Sequence, residues 1–189
     1  IRSLTDFKPL ESSVLTIGSY DGIHRGHYEI LSAVVNHAHA RKTSSVIITF
    51  NPHPRHILEN PLKKIPLLMS MEQKIKILKK IGIDFLYIIK FTKPFSITTP
   101  EDFLEKTVIP NFNPKYIIIG YDHHFGKNRK GDPEFLNSYC AERSIGVEVI
   151  KQVSDVGHNI SSTRIRGLIR DGYIRRANFE LGSVYGFKA

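Results

Sequence analysis

Cysteine occurs once in this chain of 189 residues, at Cys140. That excludes an intrachain disulfide and suits a reducing compartment. Cys140 lies in a helical pattern, Phe135-Leu136-Asn137-Ser138-Tyr139-Cys140, and reads as packing rather than as a nucleophile. No window holds roughly 18 uncharged apolar residues, so no membrane-spanning helix is expected. The start, Ile1-Arg2-Ser3-Leu4-Thr5-Asp6, lacks the apolar core of a signal peptide. Without a secretory signal, the glycosylation pattern Asn159-Ile160-Ser161 carries no weight. These absences point to the cytoplasm. Internal repeats, low-complexity tracts and a strong linker are also missing, which predicts one domain over residues 1–189. Two familiar phosphate-binding sequences are absent as well. There is no Gly-Lys-Ser/Thr loop and no GxGxxG turn.

What is present alternates. Hydrophobic residues make up 41% of the chain, enough for a full core. Val14 to Ile17, Ser45 to Phe50, Phe85 to Ile89, Tyr116 to Gly120 and Val147 to Ile150 read as buried strands. Helical spacing runs over Glu29 to Arg41, from Ser70 to Gly82, from Thr99, from Asp132 to near Gly146, Ser161 to Arg170 and Tyr173 to Leu181. Ser70-Met71-Glu72-Gln73 is a capping box, and Pro100 and Pro133 suit first helical positions. Strands separated by helices imply a Rossmann-like three-layer α/β/α sandwich with a mainly parallel sheet of five to six strands. In such a sheet, ligands bind at the carboxyl ends of the strands. Three polar segments follow strands directly: Gly18 to His27, Asn51 to His56 and Gly120 to Arg129. They are expected to converge on one site.

The segment Gly18-Ser19-Tyr20-Asp21-Gly22-Ile23-His24-Arg25-Gly26-His27 joins a strand to a helix. Its glycines let the backbone approach a ligand, and a helix start offers free N–H groups to phosphate. His24 and His27 can both reach one phosphate chain across that start. Asp21 reads as a turn-stabilising residue rather than a metal ligand. A second segment, Ser161-Ser162-Thr163-Arg164-Ile165-Arg166, sets hydroxyls at a helix start, with Arg166 one turn on. That presents N–H groups, hydroxyls and a guanidinium to phosphate. A third, Gly120-Tyr121-Asp122-His123-His124-Phe125-Gly126, sets polar and aromatic groups between glycines, which suits a ring-binding pocket. Asn51-Pro52-His53-Pro54 is a rigid polar loop at the same sheet edge. His37, His39 and His158 lack sequence partners and read as incidental. The net charge of +9 favours anionic partners. A nucleotide fits that charge, whereas no basic–aromatic pattern of a nucleic-acid-binding module is visible.

In this order the motifs resemble the FMN adenylyltransferase module of bacterial riboflavin kinase/FMN adenylyltransferases, within the HxGH nucleotidyltransferases. The family's Gly-x-Phe-Asp-Gly-x-His-x-Gly-His stands as Gly18 to His27, with Tyr20 in place of phenylalanine. Phe-x-Pro-His-Pro stands as Phe50 to Pro54, and Ser-Ser-Thr-x-x-Arg as Ser161 to Arg166. Gly-x-Asp-Phe-x-Phe-Gly stands as Gly120 to Gly126, with His123 where phenylalanine is usual. The close, Ala177 to Gly182, also matches.

The resemblance implies transfer of AMP from ATP to FMN, giving FAD and pyrophosphate, with Mg2+ carried mainly by the ATP phosphates. It implies phosphate contacts from His24, His27 and Arg166. Gly18, Ser19, Tyr20, Asp21, Gly22, Gly26, Ser161, Ser162 and Thr163 would complete the nucleotide side. Asn51, His53, Asp122, His123, Phe125 and Gly126 would line the flavin side. Family proteins continue into a riboflavin kinase β-barrel, for which 189 residues leave no room, so kinase activity is not expected. Two alternatives stay open. One is another HxGH transferase acting on nicotinate mononucleotide, phosphopantetheine or an alcohol phosphate. The other is a flavin- or nucleotide-binding module without catalysis.

Overall fold

The computed structural model describes residues 8–59 and 65–186. The signal-peptide reading of residues 1–6 therefore falls outside the described part. Five parallel strands form one sheet in the order β3-β2-β1-β4-β5, where β1 is Ser13–Ile17, β2 Ser44–Asn51, β3 Phe85–Lys90, β4 Pro114–Gly120 and β5 Gly146–Ile150. The order reverses direction between β1 and β4, which makes their carboxyl ends a switch point. The helices are α1 Arg25–Ala40, α2 Pro54–Leu58, α3 Met71–Ile81, α4 Lys93–Ser96, α5 Pro100–Phe103, α6 Ile109–Phe112, α7 Pro133–Ala141, α8 Ser162–Arg170 and α9 Ile174–Leu181. A short antiparallel hairpin, β6 Ser154–Asp155 with β7 His158–Asn159, precedes α8.

Strand alternation sorts the core into two layers. Val14, Ile47 and Ile118 pack with α1 and α3 on one face. Leu15, Ile17, Val46, Ile48, Ile117 and Ile119 pack with α5, α6 and α7 on the other. The period-2 pattern of these β-branched runs therefore fills both faces, as a doubly covered parallel sheet requires. A third cluster of Leu68, Ile160, Ile165, Ala177 and Leu181 seats α8 and α9. Cys140 is fully buried in the second layer, and burial raises its thiol to about 11, as suits a packing residue.

Several boundaries differ from the sequence expectation. α1 begins at Arg25 rather than Glu29, because the His24 side chain accepts from the His27 N–H and caps the helix before its apolar spacing starts. The segment Asn51 to Pro54 is loop only in part: Asn51 ends β2, and His53 caps α2 by accepting from the Arg55 N–H. The helix from Thr99 passes through a wider π-type stretch, Leu104–Val108, before α6. Pro110 lacks the N–H that the Lys106 carbonyl would accept from in an α-helix, and the wider turn accommodates that loss. α7 stops at Ala141, well before Gly146.

Leu15 lies at the centre of the second layer with no exposed surface. Leu15→Ala is expected to lower unfolding free energy by about 2–5 kcal/mol, read from a urea melt.

Candidate active site

A cavity of about 720 Å3 opens at the switch point. Gly18, Ser19, Tyr20, Asp21 and His27 line it from the β1–α1 turn, and His53 from the loop after β2. Asp122, His123, Phe125 and Gly126 line it from the loop after β4, and Ser162, Thr163 and Arg166 from the start of α8. The three loops that follow strands thus meet, together with one helix start from the third cluster.

The β1–α1 turn is backbone-strained and heavily tied. Tyr20 and Ile23 have φ of 47° and 28°, in the left-handed region, and Gly22 has φ 91°. A Cβ at Gly22 would lie 2.7 Å from Leu68 Cδ1 at a φ that side chains rarely adopt, so the position favours glycine. The Tyr20 hydroxyl shares a 2.5 Å bond with Thr16 Oγ1. The Asp21 carboxylate is 4% exposed. It accepts from the Leu68 N–H at 2.9 Å and from Arg166 Nη2. Ser162 Oγ donates to the Asp21 carbonyl at 2.7 Å, and Arg166 Nε donates to the Pro66 carbonyl at 2.8 Å. Asp21 therefore fixes the turn and aims Arg166 at once.

α8 is anchored from behind as well. The fully buried Glu180 accepts from Arg164 Nε and Arg176 Nε, each at 2.9 Å. Arg176 also pairs with Asp155 of the hairpin at 2.6 Å. A buried carboxylate is tolerable only with such partners. Ser161 does not line the cavity; its side chain caps α8 by accepting from the Arg164 N–H at 3.2 Å.

Other expected residues also stand back from the cavity. His24 is 6% exposed and stacks behind His27, with ring centres 3.7 Å apart. Gly26 lies against the His24 ring, and Gly22 against Leu68. Asn51 does not reach the cavity lining; its backbone carbonyl accepts from the Phe91 N–H at 3.2 Å. His37 pairs with Glu148 at 3.0 Å on the outer surface.

His24, His27, His53 and His123 are held toward the neutral form. Burial pulls His24, His53 and His123 down to about 4, and His27 lies well below the ordinary value. For His27, the neighbouring His24 and Lys74 push the same way. His24 Nδ1 and His53 Nδ1 each accept a backbone N–H, so in each neutral ring the proton sits on Nε2. These rings offer N–H donors rather than charge. Positive charge at the cavity comes from Arg166, Arg55, Lys127 and Arg129.

Sequence reasoning missed two groups. Phe50, Phe91, Phe95 and Phe103 line one end of the cavity in edge-to-face contact, with Phe125 against Phe103. The signal was an aromatic residue close to the end of β2 and β3, but these residues also read as core. Lys74 of α3 is only 6% exposed. Its Nζ donates to the Ser19 carbonyl at 2.6 Å, and Thr49 Oγ1 donates to the same oxygen at 3.2 Å. No local sequence pattern separates it from the exposed lysines of its helix.

Among known proteins, the sequence model of one family, described as FAD synthetase, matches residues 6–164. The chain belongs to the FAD synthetase family. Arg166 and α9 lie just beyond the matched stretch. The chain is 32% identical to the FAD synthetase of Listeria monocytogenes over 182 residues, 95% of this chain and 72% of that protein. It is 29% identical to the bifunctional riboflavin kinase/FMN adenylyltransferase of the same species, over 94% of this chain and 56% of the relative. The Bacillus subtilis bifunctional enzyme gives 28% over 93% and 55%. The chain thus spans just over half the length of the bifunctional relatives. A solved Streptococcus pneumoniae structure, described as a macrolide-efflux protein, superposes with TM-score 0.84 at 31% identity, over 97% of this chain and 60% of that one. Among the described residues of this chain, no helix is long and apolar enough to cross a membrane.

The depressed histidines make stability pH-dependent. Each returns to about 6.5 on unfolding. The unfolded chain therefore binds more protons between pH 4 and 6.5, and stability present above that window falls as pH drops through it. The Tm is expected to be lower at pH 5 than at pH 7. His123→Phe is expected to reduce that difference, because it removes one of the protons taken up. An unchanged difference in this variant would show that His123 titrates normally in the fold.

Proposed function

We propose that this chain is an FMN adenylyltransferase, which transfers AMP from ATP to FMN and gives FAD and pyrophosphate. The carrying observation is that one cavity joins two unlike ends. One end holds the α1 and α8 starts with His27, Ser162, Thr163 and Arg166; the other is walled by Phe50, Phe91, Phe95, Phe103 and Phe125. Helix starts and a guanidinium suit a triphosphate. Aromatic walls suit a flat ring system. Membership of the FAD synthetase family supports the pairing of these two substrates. We take residues 1–189 as one such module. Phosphorylation of riboflavin, named for the bifunctional relatives, lies outside what this cavity explains.

The reaction is an in-line displacement. A phosphate oxygen of FMN forms the new bond to the α-phosphorus. The bond from that phosphorus to the β-bridging oxygen breaks, and pyrophosphate leaves with the electron pair. The FMN phosphate is already anionic, so no general base is required. That agrees with histidines held neutral yet still able to donate. Their task is to orient the phosphates and to stabilise charge as it moves toward the leaving group. Arg166, Ser162 and Thr163 would hold the β- and γ-phosphates. His27 would donate to the phosphate chain, with His24 supporting its ring from behind. His53, Asp122 and Phe125 would face the flavin, and His123 would replace one aromatic wall with an imidazole.

Mg2+ would enter as part of the ATP substrate. The acidic side chain nearest the phosphate end, Asp21, is committed to Arg166 and the Leu68 N–H, which favours a metal held by the nucleotide rather than by this chain.

The deciding assay is pyrophosphate release with MgATP and a panel of acceptors: FMN, nicotinate mononucleotide and phosphopantetheine. Release with FMN, accompanied by FAD on chromatography, is expected. Release with another acceptor alone would reassign the substrate, and flavin binding without release would leave a binding module. In the active chain, His27→Ala is expected to keep the fold and to slow adenylyl transfer at least ~10²-fold, the scale of losing one charge-stabilising donor. Turnover close to that of the unaltered protein would remove this role from His27.

A further inference from the structure

Buried lysines without a carboxylate partner are uncommon, because desolvation opposes their charge. Lys74 is such a residue, and the proposed mechanism gives it no task. Its helix, α3, carries Lys76, Lys79 and Lys80 to solvent, while Lys74 turns inward beneath the β1–α1 turn. Its Nζ donates to a backbone carbonyl, that of Ser19, at 2.6 Å. Thr49 Oγ1 holds the same oxygen at 3.2 Å. The two groups that hold this carbonyl, Lys74 and Thr49, are not among the residues lining the cavity, whereas Ser19 and Tyr20 are.

In a trans peptide, the N–H points opposite to the carbonyl. Fixing the Ser19 carbonyl toward Lys74 therefore points the Tyr20 N–H away from Lys74, and Tyr20 is a residue that lines the cavity. The backbone would not hold that orientation unaided, because Tyr20 sits at φ 47°, a costly conformation for a side-chain-bearing residue. We propose that Lys74 is a positioning residue for adenylyl transfer, which locks the Ser19–Tyr20 peptide with its N–H presented to the nucleotide phosphates and sets a positive charge behind them. This rests on the assignment of that end of the cavity to the triphosphate.

The charged and titratable groups around Lys74 fit the arrangement. Asp21 of the turn favours its protonated form, whereas burial pulls it down to about 8. His27 of α1 and His53 of the loop after β2 both feel its charge, and Arg166 of α8 acts on His53 alongside it. Lys74 thus adds a second cation at the turn, beside the Arg166 that contacts Asp21. Its charge is partly lost above pH 8 in the free protein, which gives the inference a signature beyond structural support.

The test compares Lys74→Met and Lys74→Arg with the unaltered chain. Removing a desolvated charge in favour of an apolar side chain of similar length is expected to leave the fold intact. Circular dichroism and Tm check that. In Lys74→Met, kcat is expected to fall at least tenfold at pH 7, with KM for FMN within about twofold. The kcat/KM profile for ATP reports groups of the free enzyme. The unaltered chain is expected to lose activity above about pH 8, Lys74→Met to lack that alkaline limb, and Lys74→Arg to recover part of the rate without the limb. A Lys74→Met protein within twofold of normal kcat, or one that keeps the same limb, overturns the inference. If the unaltered chain makes no FAD, the proposed function fails instead. Lys74 is then judged by MgATP titration: tenfold weaker binding in Lys74→Met supports the lock, and equal affinity overturns it.

Discussion

The pair between Asp21 and Arg166 holds this site together. It is nearly closed to solvent, with side chains 4% and 12% exposed, and it spans 145 residues of sequence. On one side it stabilises a turn whose φ angles no ordinary loop would choose. On the other it fixes a guanidinium that would otherwise sweep through many rotamers. The Leu68 N–H and the Pro66 carbonyl complete the arrangement, so the segment before α3 is drawn into the same knot. Breaking either partner would strand a buried charge, which costs far more than the pair itself contributes. The end of the cavity around Asp21 and Arg166 is therefore preorganised before any ligand arrives.

Around that knot the division of labour is spatial. The β1–α1 turn, α8 and α9 are coupled through Asp21, Ser162, Glu180 and Arg176, a chain of hydrogen bonds running away from the cavity. The aromatic end belongs to the other layer of the sheet, through Phe103 and Phe125. The two ends thus rest on separately packed parts of the molecule and meet at the carboxyl edge of β1, β2 and β4.

Much of this could be read in the sequence, for identifiable reasons. β-Branched runs fixed the strands, and Ser70, Thr99, Asp132 and Ser161 announced helix starts through ordinary capping chemistry. Glycine-broken segments after β1 and β4 marked the cavity. The start of α1 was hidden because its cap is an imidazole, which lies outside the usual set of capping side chains. The hairpin of β6 and β7 was hidden because strands of two residues have no period to detect. Phe50, Phe91, Phe95 and Phe103 were hidden because a cavity wall and a core use the same side chains. Lys74 was hidden because a lysine on an amphipathic helix ordinarily faces water. Asp21 could be read only as a residue that steadies its own turn, since the partner it also aims lies in a distant helix.

The lone pair on His24 Nδ1 accepts the His27 N–H and so closes the first turn of α1. A proton added there would occupy the same lone pair. Helix start and ring protonation are thus mutually exclusive at a single atom. The ring stacked on His27 cannot become a cation at Nδ1 without opening the turn that presents His27 to the cavity.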